Sequence, residues 1–203
     1  MQSFSENKQD IFVSSLLPIN NGFYIDIGSY NPITNNNTYL LEQLGWNGIC
    51  IEIDSSFNEE YKQRNCIFLN QDALNINYKN LFKEHNVPNV VDYLSLDIDE
   101  QSTKLLLNLP HQEFEFKIIT LEHDFYLHKE KYQSVQRLFL QSKGYKLLFG
   151  NVYAEKGSDE WGKQRAYEDW WINPKYFNNN IFNIKKENIY PSEINYLNFD
   201  IAY

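Results

Sequence analysis

The side chains best suited to chemistry fall at the ends of short apolar runs. Asp26, Gly28, Ser29 and Tyr30 end the first run, Glu52 and Asp54 the second, and Asp72 the third. Asp97 and Asp99 end the fourth, and Glu122, His123 and Asp124 the fifth. A single acid in such a place is an ordinary helix cap. Five successive ends point to one shared polar site. His123 is the candidate general base, because an unperturbed imidazole titrates near neutral pH. A histidine that only orients Glu122 or caps the next helix fits its position equally well. The oxygen ligands of Asp97 and Glu122, with His123 or Asp124 beside them, suit a hard cation such as Mg²⁺, which would acidify an acceptor hydroxyl. The favoured reading is a metal-free pocket in which Asp97 and Glu122 bind that hydroxyl directly. Tyr167, Glu168, Asp169, Trp170 and Trp171 form an aromatic and acidic group suited to a sugar or ring-bearing acceptor. Asp124, Trp170 and Trp171 are therefore the candidate substrate contacts, although adjacent strand residues face opposite ways and one tryptophan belongs in a core. Trp161, in the polar loop Ala154 to Arg165, is a candidate lid or anchor.

These residues need elements to position them. Strand-like runs cover Gly22–Gly28, Gly48–Ile53, Cys66–Leu69, Val90–Leu96 and Lys117–Leu121. Helical patterns alternate with them: Asn36–Leu44, closed by Gly45, then Ser56–Gln63, Tyr78–His85 and Gln101–Leu109. A longer helix is expected over Glu130–Lys143, with Val135, Leu138 and Phe139 as its inward stripe. Tyr145–Tyr153 and Ala166–Ile172 are two further strands. This alternation predicts an α/β fold, with a seven-stranded, mostly parallel sheet and helices on both faces. The short connection between the last two strands makes them a C-terminal antiparallel hairpin. Residues 1–203 are expected to form a single domain, with residues 1–20 as a helical cover and residues 175–203 as a tail on the body.

Composition narrows the partners. A net charge of −9 and a pI near 4.9 disfavour nucleic acid and anionic membrane, both of which require clustered basic residues. Hydrophobic residues at 42%, with 16% aromatics, suffice for a core. The start MQSFSENKQD lacks the features of a signal peptide, and no run approaches the ~20 apolar residues of a membrane span. Cys50 and Cys66 lie in apolar contexts and are expected to be reduced, buried thiols. A cytoplasmic protein acting on a small molecule or sugar is the expectation.

In open α/β sheets ligands bind beyond the carboxyl ends of the strands. Gly28 permits close approach to the backbone, and Glu52, about 20 residues later, is placed to accept hydrogen bonds from a ribose. The G-x-G-x-x-G phosphate turn is missing, because the segment reads Asp26-Ile-Gly-Ser-Tyr-Asn-Pro32. That disfavours NAD and an oxidoreductase, and favours a nucleoside without phosphate, of which S-adenosylmethionine is the commonest.

The segments FYIDIGSYNPITNNNTYLLEQLGWNGICIEID, FLNQDA, YLSLDIDE, IITLEHD and YEDWWINP resemble the FkbM-type methyltransferases, a branch of the class I S-adenosylmethionine-dependent enzymes. The resemblance runs from about Gly22 to Pro174 and is most specific in LEQLGWNGICIE. It implies a Rossmann-like class I methyltransferase fold and transfer of a methyl group, most simply to oxygen. It also implies that Asp26, Gly28 and Ser29 surround the methionine part and sulfonium, and that Glu52 holds the ribose. Asp72, preceded by Gln71, would bind the adenine amine, and Asp97 would lie under the methionine amino group or beside the acceptor. The family's turn usually carries a further glycine where this chain has Asn31–Pro32. A non-catalytic nucleoside-binding or partner-binding module on the same fold is the alternative that this altered turn suggests.

Overall fold

Eight strands form one sheet in the computed structural model, which describes residues 2–154, 165–196 and 199. In chain order they are β1 (Phe23–Ile27), β2 (Asn47–Glu52), β3 (Ile67–Asn70), β4 (Val90–Leu96), β5 (Glu115–Glu122), β6 (Lys146–Tyr153), β7 (Ala166–Ile172) and β8 (Lys186–Ile189). Their order across the sheet is β3-β2-β1-β4-β5-β7-β6-β8. Strands β1 to β5 are mutually parallel, and β7 enters antiparallel to both β5 and β6. The order reverses between β1 and β4, which opens a crevice beyond their carboxyl ends. Both strands are buried on both faces, as their nearly unbroken apolar runs require.

The expected seven strands are eight. The additional one, β8, comes from the tail and pairs parallel to β6, covering what would otherwise be the sheet's free edge. Its four residues, Lys-Glu-Asn-Ile, carry no apolar alternation, so the pairing is set by the edge it meets rather than by its own pattern.

The helices are α1 (Gln9–Leu16), α2 (Tyr39–Gln43), α3 (Asn58–Tyr61), α4 (Tyr78–Glu84), α5 (Ser102–Asn108), α6 (Phe125–His128) and α7 (Glu130–Ser142). One core holds Phe12, Val13 and Leu16 of α1 against Tyr24, Trp46 and Trp170, with Ile181, Ile189 and Phe199 of the tail. The other holds Phe82 of α4, Leu105 and Leu106 of α5 and Leu140 of α7 against Ile25, Ile119 and Trp171. Leu109 is inward as well, as the Gln101–Leu109 pattern predicts. Among the described residues, no helix is long and apolar enough to cross a membrane.

Helix α7 is rotated from the expected orientation, and of the expected stripe only Phe139 packs, partly buried, against the core. Val135 and Leu138 are exposed, at 42% and 69%, while Gln133, Gln136 and Leu140 are buried. The cause lies beneath the helix, where the sheet and α5 present polar groups. Gln136 donates to Thr103 Oγ1 and to the Glu122 carbonyl, at 3.0 and 2.9 Å, and Gln133 donates to Asn151 Oδ1 at 2.6 Å. Buried acceptors are costly unless paired, so they draw the amides in.

Candidate functional site

A cavity of about 700 Å³ opens beyond the carboxyl ends of β1, β2, β3 and β4. Its polar wall includes Asp26, Gly28, Ser29, Glu52, Asp72 and Asp97, so every residue expected at the cofactor lines one space. Ile51, Ile53, Leu74 and Ile98 supply an apolar wall.

Gly28 is dictated by the backbone. Its φ is +81°, and a Cβ there would overlap the carbonyl oxygen of Asp97. The glycine thus lets the turns after β1 and β4 touch, in addition to leaving room for a ligand. Tyr30, which follows with φ 49°, donates its backbone N–H to Glu52 Oε2 at 2.8 Å, while the Asp54 N–H donates to Oε1 at 2.8 Å. Glu52 therefore fixes the turn as well as facing the cavity.

The altered turn has its own support. Buried Asn36 donates to the carbonyls of Ser29 and Asn31, both at 2.9 Å, and accepts the Thr38 and Tyr39 N–H groups at 3.0 and 2.8 Å. Arg64 reaches in from beyond α3, donating to the Pro32 carbonyl and to Glu42 Oε2, the latter at 2.7 Å. Tyr61 donates to Ser29 Oγ at 2.7 Å. Backbone amides of Ile33 and Thr34 bind Asn31 Oδ1. Side chains thus organise a turn that a further glycine would shape in the pattern this segment departs from. Asn36, Tyr61 and Arg64 were not expected as site residues; the run Asn35-Asn-Asn37 beside a missing glycine was the available signal.

The acids differ in how they are held. Asp26 accepts from Thr38 Oγ1 at 2.8 Å, but its other oxygen, Oδ1, is buried with no partner. Burial, opposed by the hydrogen bond from Thr38, pushes its carboxyl up to about 6. Asp97 is also pushed up to about 6, chiefly by burial and, despite a hydrogen bond with Glu122, by the charges of Asp26, Asp124 and Asp99. Glu122 rises to about 12, first through burial and then through Asp97. Asp72 has both oxygens occupied, by the Leu74 N–H and the Asn75 amide, each at 2.9 Å.

The expected acceptor side needs correction. Trp170 and Trp171 are wholly buried, one in each core, so neither touches an acceptor. Successive strand residues point to opposite faces, and here both faces are covered. His123 is buried too, and it is not among the residues that line the cavity. Its Nδ1 accepts the Phe125 N–H at 3.1 Å, and its Nε2 lies 3.3 Å from Asp169 Oδ1 and 3.0 Å from the Gln133 amide. The ring holds the Phe125 N–H and pairs with Asp169, which places it behind the cavity wall among the described residues rather than in it. The expected triple of Asp97, Glu122 and His123 is likewise not assembled. Among the described residues, the carboxylates that converge are those of Asp99, Glu122 and Asp124. Trp161 lies outside the described residues.

No protein-family profile matches this chain, and no curated protein does. Solved structures do. P. horikoshii TYW2, in complex with MeSAdo, has a TM-score of 0.53 at 12% identity, over 85% of this chain and 64% of that one. A TehB-like SAM-dependent methyltransferase from Corynebacterium glutamicum gives 0.50 at 9%, over 81% and 87%. The methyltransferase domain of bacterial CtHen1-C gives 0.50 at 11%, over 82% and 97%. The fold is that of the class I methyltransferases. This chain spans under two thirds of the P. horikoshii chain.

The cavity fits S-adenosylmethionine on its own chemistry. The unpartnered Asp26 oxygen would take the ammonium or face the sulfonium, and Glu52 would take ribose hydroxyls. The apolar wall by Asp72 would take a flat base.

Proposed function

We propose that this chain is an S-adenosylmethionine-dependent methyltransferase of the FkbM type, acting on a hydroxyl of a small molecule or sugar in the cytoplasm. The observation that carries the reading is the buried, unpartnered Asp26 carboxylate oxygen in a cavity shared with Gly28 and Glu52, at the point where strand order reverses. A cationic ligand offsets the cost of that orphaned acceptor. When bound, S-adenosylmethionine supplies an electrophilic methyl group. Asp26 would hold the cofactor's cationic end, Glu52 would orient the ribose and Gln71 with Asp72 would orient the base. Asp97, at the end of β4 and in the cavity wall, would hold the acceptor hydroxyl, with Glu122 of β5 behind it as a hydrogen-bond partner. Positioning supplies much of the rate in a displacement of this kind. Local acidity and the net charge of −9 speak against a nucleic-acid acceptor.

Calorimetry with S-adenosylmethionine, S-adenosylhomocysteine and NAD tests this. Saturable binding of both sulfur nucleosides and none of NAD is expected; no binding of either nucleoside sinks the reading. Glu52→Ala should weaken binding by tenfold or more, through loss of charge-assisted hydrogen bonds and of the Tyr30 anchor. Enclosure of His123 favours one second reading, a nucleoside-binding module without catalysis. Cofactor binding with no S-adenosylhomocysteine formed across hydroxyl, amine and thiol acceptor panels would select it.

A further inference from the structure

Three carboxylates from two separate turns meet behind the cavity wall, and one of them, Asp99, lines the cavity. Asp99 follows β4, and Glu122 and Asp124 end β5; each offers an oxygen within 4.8 Å of the other two. Oxygens bound to one Ca²⁺ at ~2.3–2.6 Å lie no further apart than about 5 Å, and Mg²⁺ at ~2.1 Å needs only slight contraction. A further observation separates this group from a solvated acidic surface: Asp124 is 4% exposed, and its Oδ1 is buried without any hydrogen-bond partner.

The backbone is shaped to bring the group together. Asp99 and Asp124 both lie in the left-handed region, at φ 50° and 46°, where aspartate and asparagine are the tolerated side-chain-bearing residues. Asp99 donates its N–H to Glu122 Oε2 at 2.8 Å, joining the two turns. The Asp124 N–H is tied to the Tyr167 carbonyl at 3.0 Å, so the turn after β5 is held from β7. Asp99 is exposed and lines the cavity, which gives an ion a way in and leaves coordination positions facing the ligand space.

We propose that Asp99, Glu122 and Asp124 form a site for one hard divalent cation of the Mg²⁺ or Ca²⁺ class, bound by oxygen alone and open towards the cavity. Only the ion's role in holding an acceptor oxygen rests on the methyl-transfer reading; its binding does not.

The test is calorimetric titration of the full chain, stripped with EDTA, with MgCl₂, MnCl₂ and CaCl₂ separately, in the absence of any cofactor. One saturable site is expected for at least one of the three ions. Asp99→Asn and Asp124→Asn keep the left-handed backbone within reach, and circular dichroism verifies that each is folded. The Asp124→Asn affinity should fall at least tenfold, with Glu59→Gln, an exposed surface change, leaving it unaltered. Asp99→Asn repeats the test at a position where folding is least affected. The proposal is overturned by no saturable binding up to about 10 mM of any of the ions, a concentration beyond the weakest extracellular calcium modules. Unaltered affinity in the folded variants overturns it equally. Cation binding without S-adenosylmethionine binding leaves this site standing and removes the methyl-transfer reading, and the reverse result does the opposite.

Discussion

Two groups of buried acids lie along the same end of the sheet, and they are handled in opposite ways. Asp169 on β7 is fully buried, and burial alone would raise its carboxyl. Hydrogen bonds from Arg137 and His123 outweigh that effect and hold it down at about 2. Glu42, beside Arg64, is a second acid matched by a buried cation. Asp26 and Glu122 are buried as well and Asp97 is half-buried, yet each is pushed upward, and Asp26 and Asp124 keep orphaned oxygens. The matched acids are finished structure. The unmatched ones lack a cationic partner, and two of them, Asp26 and Asp97, line the cavity. At Asp26 and Asp97 the missing counter-charge coincides with the cavity, whereas Glu168, also buried and pushed upward without a cation, lies outside it and is held by the Gln9 amide.

The largest effect should come from unmatching a matched acid. Arg64→Met leaves Glu42 buried without its cation and frees the Asn31–Pro32 turn. A loss of about 3–5 kcal/mol in urea unfolding is expected, the range for breaking a buried pair. A loss under about 1 kcal/mol would mean that the pair is matched in geometry but not in energy.

Removing an unmatched acid should have the opposite sign. The Asp26 carboxyl titrates near 3.9 when unfolded and at about 6 in the folded chain. Between those values the native state carries the extra proton, so stability falls as pH rises from ~4 to ~6, and the penalty is complete above that. Two units correspond to ~3 kcal/mol at pH 7. Asp26→Asn should therefore be more stable at pH 7, by up to that amount, with a flatter stability profile between pH 4 and 6. Its affinity for S-adenosylmethionine should fall in the same experiment. A variant that loses stability at pH 7 would show that Asp26 has a cationic partner in the folded chain.

A smaller shift follows for the native chain. If the cofactor's positive end sits on ionised Asp26, its affinity should decline below pH 6 by up to tenfold per unit, as protonation removes the charge. Affinity flat from pH 7 to pH 5 would place that positive charge elsewhere.

The difference between the two groups bears on what the sequence could disclose. The strands were legible because β1, β2, β4 and β5 are buried on both faces and so are written as unbroken apolar runs. Asp26, Glu52, Asp72 and Asp97 were legible because parallel topology puts successive strand ends on one edge. His123, Trp170 and Trp171 were misassigned for one reason: residue type gives chemistry but not direction. The His123 ring turns towards Asp169, 46 residues further along the chain, and no local spacing records that pairing. Arg64 and Asn36 escaped notice likewise, since their partners are carbonyls in a turn whose shape has no repeating pattern. Strand β8 was hidden by its polarity, being an edge piece selected by pairing rather than by burial.

The smallest expected effect lies on α7, the helix that supplies the matching charge. Arg137 on this helix reaches Asp169 at 2.7 and 2.9 Å, and Gln133 and Gln136 occupy the same inward side. Matching the acids of the sheet therefore displaced the apolar stripe, and Leu138, which periodicity would place in the core, is 69% exposed. Leu138→Ser should change stability by no more than ~0.5 kcal/mol, as ordinary surface substitutions do. Leu140→Ala, two residues away and fully buried against Trp171 and its neighbours, should cost about 2–5 kcal/mol. Measured together in urea, the pair reads the orientation of the helix directly. Reversed magnitudes would mean that α7 turns its apolar stripe inward, which would strip Asp169 of Arg137 and dissolve the distinction between matched and unmatched acids.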